Sequence, residues 1–413
     1  MQSSTNLQKA RRFRFLIAVF WLGLTAFGGP QMHLPYFKRR LVDKLRFLSQ
    51  EELIEINAFC SLLPGPSTTQ TITSIGLKIG GVSLAIQTLI LWALPGALIM
   101  GALALSPSFL GAQQLEFLAT MVVGFLVFAV WSMSKWLKPS AVTWVIFILT
   151  GAIGFFWRSP FFFPIGVIIA AITSARFGNF ETTQSVRVNK SEIKWKNLSL
   201  IFLIFFIVGG TGLGLSNYAK NNKWLKPVVF FENTYRMGAI SFGGGNVLAA
   251  MTAEQYVHHT NRMEMKELNT GLGIIQATPG PNYNLAVFTN AVAMKNAKYQ
   301  LPGQVLGAII GWISVFLPGL LFVLFAYPIW EKLRNWRVVQ QTIPGIFAVS
   351  VGFILTAALI FGFDLWNNLQ VSKFNQWEIH LGVLLFTILA LASKKIPTPL
   401  IVLITLVVGW FFT

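Results

Sequence analysis

Residues 26–30 read AFGGP and residues 64–66 read PGP; residues 241–245 read SFGGG and residues 279–281 read PGP again. Phe27 lies 37 positions before Pro64, Phe242 lies 37 before Pro279, and the two copies stand 215 residues apart. The match reaches outward, because Glu52-Leu53 begins 12 residues before Pro64 and Glu267-Leu268 begins 12 before Pro279. Farther along, Leu94-Pro95-Gly96 has a partner in Leu317-Pro318-Gly319 at a displacement of 223, which places an eight-residue slip between the anchors. A lone GG or PG pair is common in membrane helices. The same internal spacing twice is not a product of composition. The chain reads as a duplication whose two copies interrupt their apolar segments in the same places.

The rest of the sequence sets the solvent. Of 413 residues, 54% are hydrophobic and 11% charged, against roughly 25% charged in soluble domains; mean hydropathy is +0.63. Apolar runs such as Phe117–Val130, Trp144–Phe156 and Leu198–Val208 recur along the chain. The expected fold is an all-α polytopic membrane protein. Its predicted layout is a cytoplasmic head (1–14), a first membrane repeat (15–175), a polar linker (176–197) and a second membrane repeat (198–413). Phe15–Ala26 is shorter than the ~20 residues needed to cross the hydrocarbon. Broken or re-entrant helices are therefore expected, and their freed backbone groups must face protein or water.

Lys and Arg number 32 against 14 Asp and Glu, a formal charge of +18. In a soluble chain that excess would point to nucleic acid; in this one it points to cytoplasmic loops and anionic lipid, with no nucleic-acid partner. The loop between Gln31 and Glu52 carries five basic residues, whereas that between Met251 and Glu267 carries two, Arg262 and Lys266. The basic-inside bias puts the first loop in the cytoplasm and its counterpart outside, so the repeats are expected to be inverted. The localisation this implies is multi-pass, in the cell inner membrane. Cys60 is the only cysteine, and His33, His258, His259 and His380 have no metal-binding spacing, so neither metal nor cofactor is expected. No GxxxxGK[ST] loop offers ATP hydrolysis, and no nucleophile–base pair points to an enzyme. A gradient of protons or sodium is the remaining energy source.

A helix interrupted at PGP exposes carbonyls before the break and amides after it. The candidate ligand-binding set is therefore Phe27, Gly28, Gly29, Pro64, Gly65, Pro66, Ser67, Thr68, Thr69 and Gln70 in the first half. In the second half it is Phe242, Gly243, Gly244, Gly245, Asn246, Pro279, Gly280, Pro281, Asn282 and Asn284. Helix N-termini carry about +0.5 elementary charge, so four such elements meeting near the midplane suit an oxyanion. Lys78 and Lys295, each downstream of a PGP, and His33 are candidate charge partners; snorkelling is the alternative for the lysines. Trp92, Trp131 and Trp144 read as interface or packing residues. Glycines and small polar residues also serve plain helix packing, which is the alternative for the whole set.

These motifs, Ala26-Phe27-Gly28-Gly29-Pro30 with His33, Pro64-Gly65-Pro66, Ser241-Phe242-Gly243-Gly244-Gly245-Asn246 and Pro279-Gly280-Pro281, resemble those of the chromate ion transporter family in its long, two-domain form. The resemblance spans essentially the whole chain. It implies a multi-pass inner-membrane protein that exports chromate, with sulfate as a similar dianion. The polar Thr68, Thr69, Gln70 and Asn282-Tyr283-Asn284 depart from the more apolar pattern expected after each PGP. The reading is thus a secondary transporter for chromate or sulfate working by alternating access, with a passive anion channel and a non-transporting scaffold as its rivals.

Overall fold

The computed structural model describes residues 2–105, 112–157, 162–178, 222–241, 245–333, 336–371, 377–393 and 395–411, with Phe180 and scattered positions between 203 and 215. Among these residues there are helices and turns and no strand. The first half comprises α1 (Gln2–Thr25), α2 (Pro30–Phe37), α3 (Gln50–Leu62), α4 (Ser67–Leu105), α5 (Ala112–Ser134), α6 (Ala141–Phe156) and α7 (Phe162–Phe177). The second comprises α8 (Lys226–Ile240), α9 (Gly245–Thr252), α10 (Met265–Gln276), α11 (Leu285–Asn296), α12 (Leu301–Leu333), α13 (Arg337–Val371), α14 (Trp377–Ser393) and α15 (Thr398–Phe411). Among the described residues, four helices contain stretches long and apolar enough to cross a membrane: α4, α5, α12 and α13.

The duplication is legible in local geometry. α2 and α9 have eight residues each, about 12 Å of helix, too short to span a bilayer. Both run directly into a π-helical segment, Lys38–Lys44 and Ala253–His259. Both then turn through a residue of positive φ, Arg46 at 51° and Asn261 at 47°. A capping box starts the next helix in each case, Ser49 with Glu52 ahead of α3 and Glu264 with Glu267 ahead of α10. The copies diverge after the second break. α4 only kinks, at Gly80–Gly81, whereas the second half leaves helix after α11 and turns through Lys298 at φ 63° before α12. The eight-residue slip falls at this turn.

The halves exchange partners reciprocally. α1 packs on α4 and α8 packs on α12 within each half. Across the halves, α6 and α7 pack on α13 while α14 and α15 pack on α5, and α3 meets α13 as α10 meets α5. Small residues permit these approaches: a Cβ on Gly23 of α1 would lie 2.9 Å from the Trp92 carbonyl oxygen, and one on Gly238 of α8 would lie 2.6 Å from that of Val315. Each half is thus incomplete without the other. The two interrupted regions are left facing the contact between them.

Candidate functional site

α1 ends at Thr25 and α8 at Ile240, each leaving an unpaired carbonyl where the chain turns away. The opposite half satisfies it. Gly280 N–H donates to the Ala26 carbonyl at 2.9 Å, and Gly65 N–H donates to the Ser241 carbonyl at 2.7 Å. Ser241 stands 215 residues after Ala26, as Gly280 does after Gly65, so these are one bond made twice. Only glycine allows it without strain: Gly65 has φ 110° and Gly280 φ 86°. The N–H of each PGP glycine therefore joins the halves, and the amides left for a ligand are those that open the following helices.

In the first half α4 starts at Ser67, so Ser67, Thr68 and Thr69 present N–H groups with no carbonyl one turn earlier in the helix. Thr68, Thr69 and Gln70 are buried. Gln70 Nε2 donates back to the Pro64 carbonyl at 2.8 Å, holding the turn closed between Gly65 and Gly319 of α12. His33, on α2, is fully buried. Its Nδ1 bonds Thr68 Oγ1 at 3.0 Å, and its ring stands edge-on to Trp92 with centroids 4.7 Å apart. Trp92 donates from Nε1 to Thr69 Oγ1 at 3.2 Å. The tryptophan read as packing from the sequence thus belongs to the first break.

In the second half Pro281 leads into a single 3-10 turn, Asn282–Asn284, before α11. Tyr283 and Ser241 share a hydroxyl–hydroxyl bond of 2.7 Å. Asn284 Nδ2 crosses to the Ala93 carbonyl of α4 at 3.0 Å, close enough to Gly96 that a Cβ there would lie 2.7 Å from it. Gly28 and Gly29 adopt φ 90° and 73° and lie buried beside Phe27. Gly245 and Asn246 open α9; Phe242, Gly243 and Gly244 lie outside the described residues.

Several buried polar atoms around the breaks have no hydrogen-bond partner among the described residues: Gln70 Oε1, Thr73 Oγ1, Asn282 Oδ1 and Asn284 Oδ1. A buried polar atom left unpaired costs about 1–3 kcal/mol, so a concentration of them marks a place where polar company is expected. The lysines stand elsewhere. Lys78 lies 11 residues beyond Ser67, about 16 Å along the helix, and pairs with Glu52. Lys295 is exposed at the far end of α11. Neither lies at a break.

The sequence reading passed over one ion pair. On α8, Arg236 donates from Nε to Glu232 Oε1 at 2.8 Å and from Nη2 to Asn233 Oδ1 at 3.0 Å. The available signal was the comparison of the copies: residues 232–236 read ENTYR where 17–21 read IAVFW.

A family model for chromate transporters matches residues 13–175 and 228–410, most of the chain and one stretch in each half. The chain belongs to the chromate transporter family. It is 25% identical over 399 residues to an uncharacterized transporter of Methanocaldococcus jannaschii, covering 94% of this chain and 91% of that protein. Identity to a chromate transport protein of Pseudomonas aeruginosa is 25% over 354 residues, 80% of this chain and 76% of the other. A probable chromate transport protein of Synechococcus elongatus matches at 22% over 403 residues, 95% and 93% of the two chains. No solved structure is a significant match. Family membership and the apolar helices make this a multi-pass membrane protein of a transport family.

Proposed function

We propose that this chromate transporter family member is a secondary transporter of a divalent oxyanion, chromate or the isosteric sulfate, across the cell inner membrane. It works by alternating access between two inverted repeats, with the anion held between the two PGP breaks. The observation that carries this reading is the reciprocal bond, Gly65 N–H to Ser241 and Gly280 N–H to Ala26, which ties each break to the opposite half. A rocking of one half on the other then acts on both breaks together.

Donors and acceptors divide the labour. The Ser67–Thr69 amides at the start of α4, with the threonine hydroxyls, suit the oxygens of a tetrahedral anion. The side-chain oxygens of Gln70 and Asn284 cannot, because their amide nitrogens already donate to the Pro64 and Ala93 carbonyls. Reversing either amide would set oxygen against oxygen. Those oxygens suit a cation or a proton carrier, which supports a coupling ion, proton or sodium, beside the anion. The test is purified protein in liposomes, with chromate and sulfate flux followed under imposed pH and sodium gradients. Saturable flux that follows one gradient supports the reading. Ohmic single-channel current supports a pore in its place, and no flux of either anion overturns it.

A further inference from the structure

The two copies differ most where they should be most alike. Laid over the second copy at a displacement of 215, Ala18, Val19, Leu41 and Ile75 stand where Asn233, Thr234, Tyr256 and Asn290 stand. The first set is buried apolar core. The second is a closed hydrogen-bonded ring: Asn290 Nδ2 donates to Thr234 Oγ1 at 2.9 Å, Thr234 Oγ1 meets Tyr256 OH at 3.0 Å, and Tyr256 OH donates to Asn290 Oδ1 at 3.1 Å. Asn233 continues it, accepting from Arg236 and, at 3.5 Å, from Gln255.

Charge is placed differently around this ring, where Gln255 stands in the position of Arg40. Phe47 of the first half packs edge-on against Phe15 at 5.4 Å; its counterpart is Arg262, whose guanidinium stands over Phe230 at 4.6 Å and over Tyr256 at 5.4 Å. The Arg262 side chain is in hydrogen-bonding reach of Tyr256, while its Nη1 is buried with no hydrogen-bond partner among the described residues. Glu232, within electrostatic reach of Arg262, is already bonded to Arg236. Among the described residues, one carboxylate therefore faces two guanidiniums. Arg236 lies ten residues past Lys226, about 15 Å along α8 on the way to Ser241, and its side chain is part-buried. An unpaired buried guanidinium N–H beside surplus positive charge is what a desolvated oxyanion requires.

We propose that the second half carries its own oxyanion station, built on Arg262 and Arg236 with Gln255, Tyr256 and Asn290 around them; the first half holds its own buried guanidinium, Arg40, at the position of Gln255. The inference rests on the transporter reading above and deepens it: the anion pauses on the side of Arg262 before or after the central breaks. Glu232 sets the affinity by offsetting one of the two charges.

The experiment measures the KM for sulfate, the probe anion, in proteoliposomes of wild type, Arg262→Gln and Glu232→Gln. Removing the unpaired donor raises the KM roughly tenfold, as expected for a lost charge-assisted bond, while Glu232→Gln lowers it by several-fold. A purely structural role moves both variants the same way or neither, and either result overturns the proposal. If Arg262→Gln does not reach the membrane, the sign of the Glu232→Gln shift decides alone. Wild-type protein without saturable flux would sink the transporter reading and this inference with it, whereas normal wild-type flux with unopposed shifts sinks only the inference.

Discussion

Replacing Gly96 by alanine tests whether α4 and the second break are as closely fitted as their geometry requires. A Cβ at position 96 would lie 2.3 Å from the Pro279 carbonyl oxygen and 2.7 Å from Asn284 Nδ2. Ordinary C···O contacts are about 3.3–3.6 Å, so one backbone must retreat by about 1 Å. The first obstacle is backbone, and the second is a side-chain end held by its bond to the Ala93 carbonyl. The retreat costs about 1–3 kcal/mol as overpacking and endangers the Asn284–Ala93 bond, worth about 1 kcal/mol. Alanine returns about 1 kcal/mol through helix propensity. Gly101, on the same helix, supplies the control: a Cβ there finds Val287 at 3.6 Å and Ala308 at 3.9 Å, ordinary contacts, so Gly101→Ala gains the propensity at no steric cost. Gly319→Ala, which meets Pro66 at 3.1 Å, should fall between them. Thermal unfolding in detergent should rank the variants 101, 319, 96 from most to least stable. Sulfate flux should fall on the order of tenfold to hundredfold in Gly96→Ala, the cost of misplacing binding groups by about 1 Å. Gly96→Ala with wild-type flux and the stability of Gly101→Ala would refute the reasoning.

Three further outcomes are expected. Thr68→Val removes the hydroxyl that bonds His33 Nδ1 while keeping volume; flux should drop at least several-fold with normal membrane insertion, read by transport assay and immunoblot. Lys78→Ala breaks a part-exposed pair with Glu52, worth about 0–1 kcal/mol, and should leave the KM for sulfate unchanged. Cys60 is fully buried and sits at 3.6 Å from Ser74 Oγ; the folded protein should resist maleimide and label stoichiometrically in denaturant, followed by mass spectrometry.

The repeat and its breaks were legible in the sequence because glycine and proline mark backbone events directly. The 37-residue spacing from Phe27 to Pro64 and from Phe242 to Pro279 reappears as short helix, π-helical segment, capped helix and break in both halves. The slip of eight was also legible and falls at a single turn. What joins the halves was not. A hydrogen bond between Gly65 and Ser241 leaves no trace in residue type, and the packing of α6 and α7 on α13 follows from apolar faces that look alike in every segment. Lys78 and Lys295 were chosen for nearness along the chain, but a helix carries a side chain about 1.5 Å farther off with each residue. Glu232 and Arg236 belong to neither the glycine nor the proline motifs and have no charged counterparts in the first half. Set against Ile17 and Trp21, the pair is evident.

The central claim is that an oxyanion binds between the two breaks. Single cysteines introduced by Ser67→Cys and by Asn282→Cys, each in a Cys60→Ala background, put a probe beside each PGP. Sulfate is the ligand to use, since chromate would oxidise the thiols. Sulfate at concentrations near its KM should slow maleimide labelling at both positions, with chloride at equal ionic strength having no effect. Labelling at both positions that is indifferent to sulfate, in protein that transports it, would contradict the account.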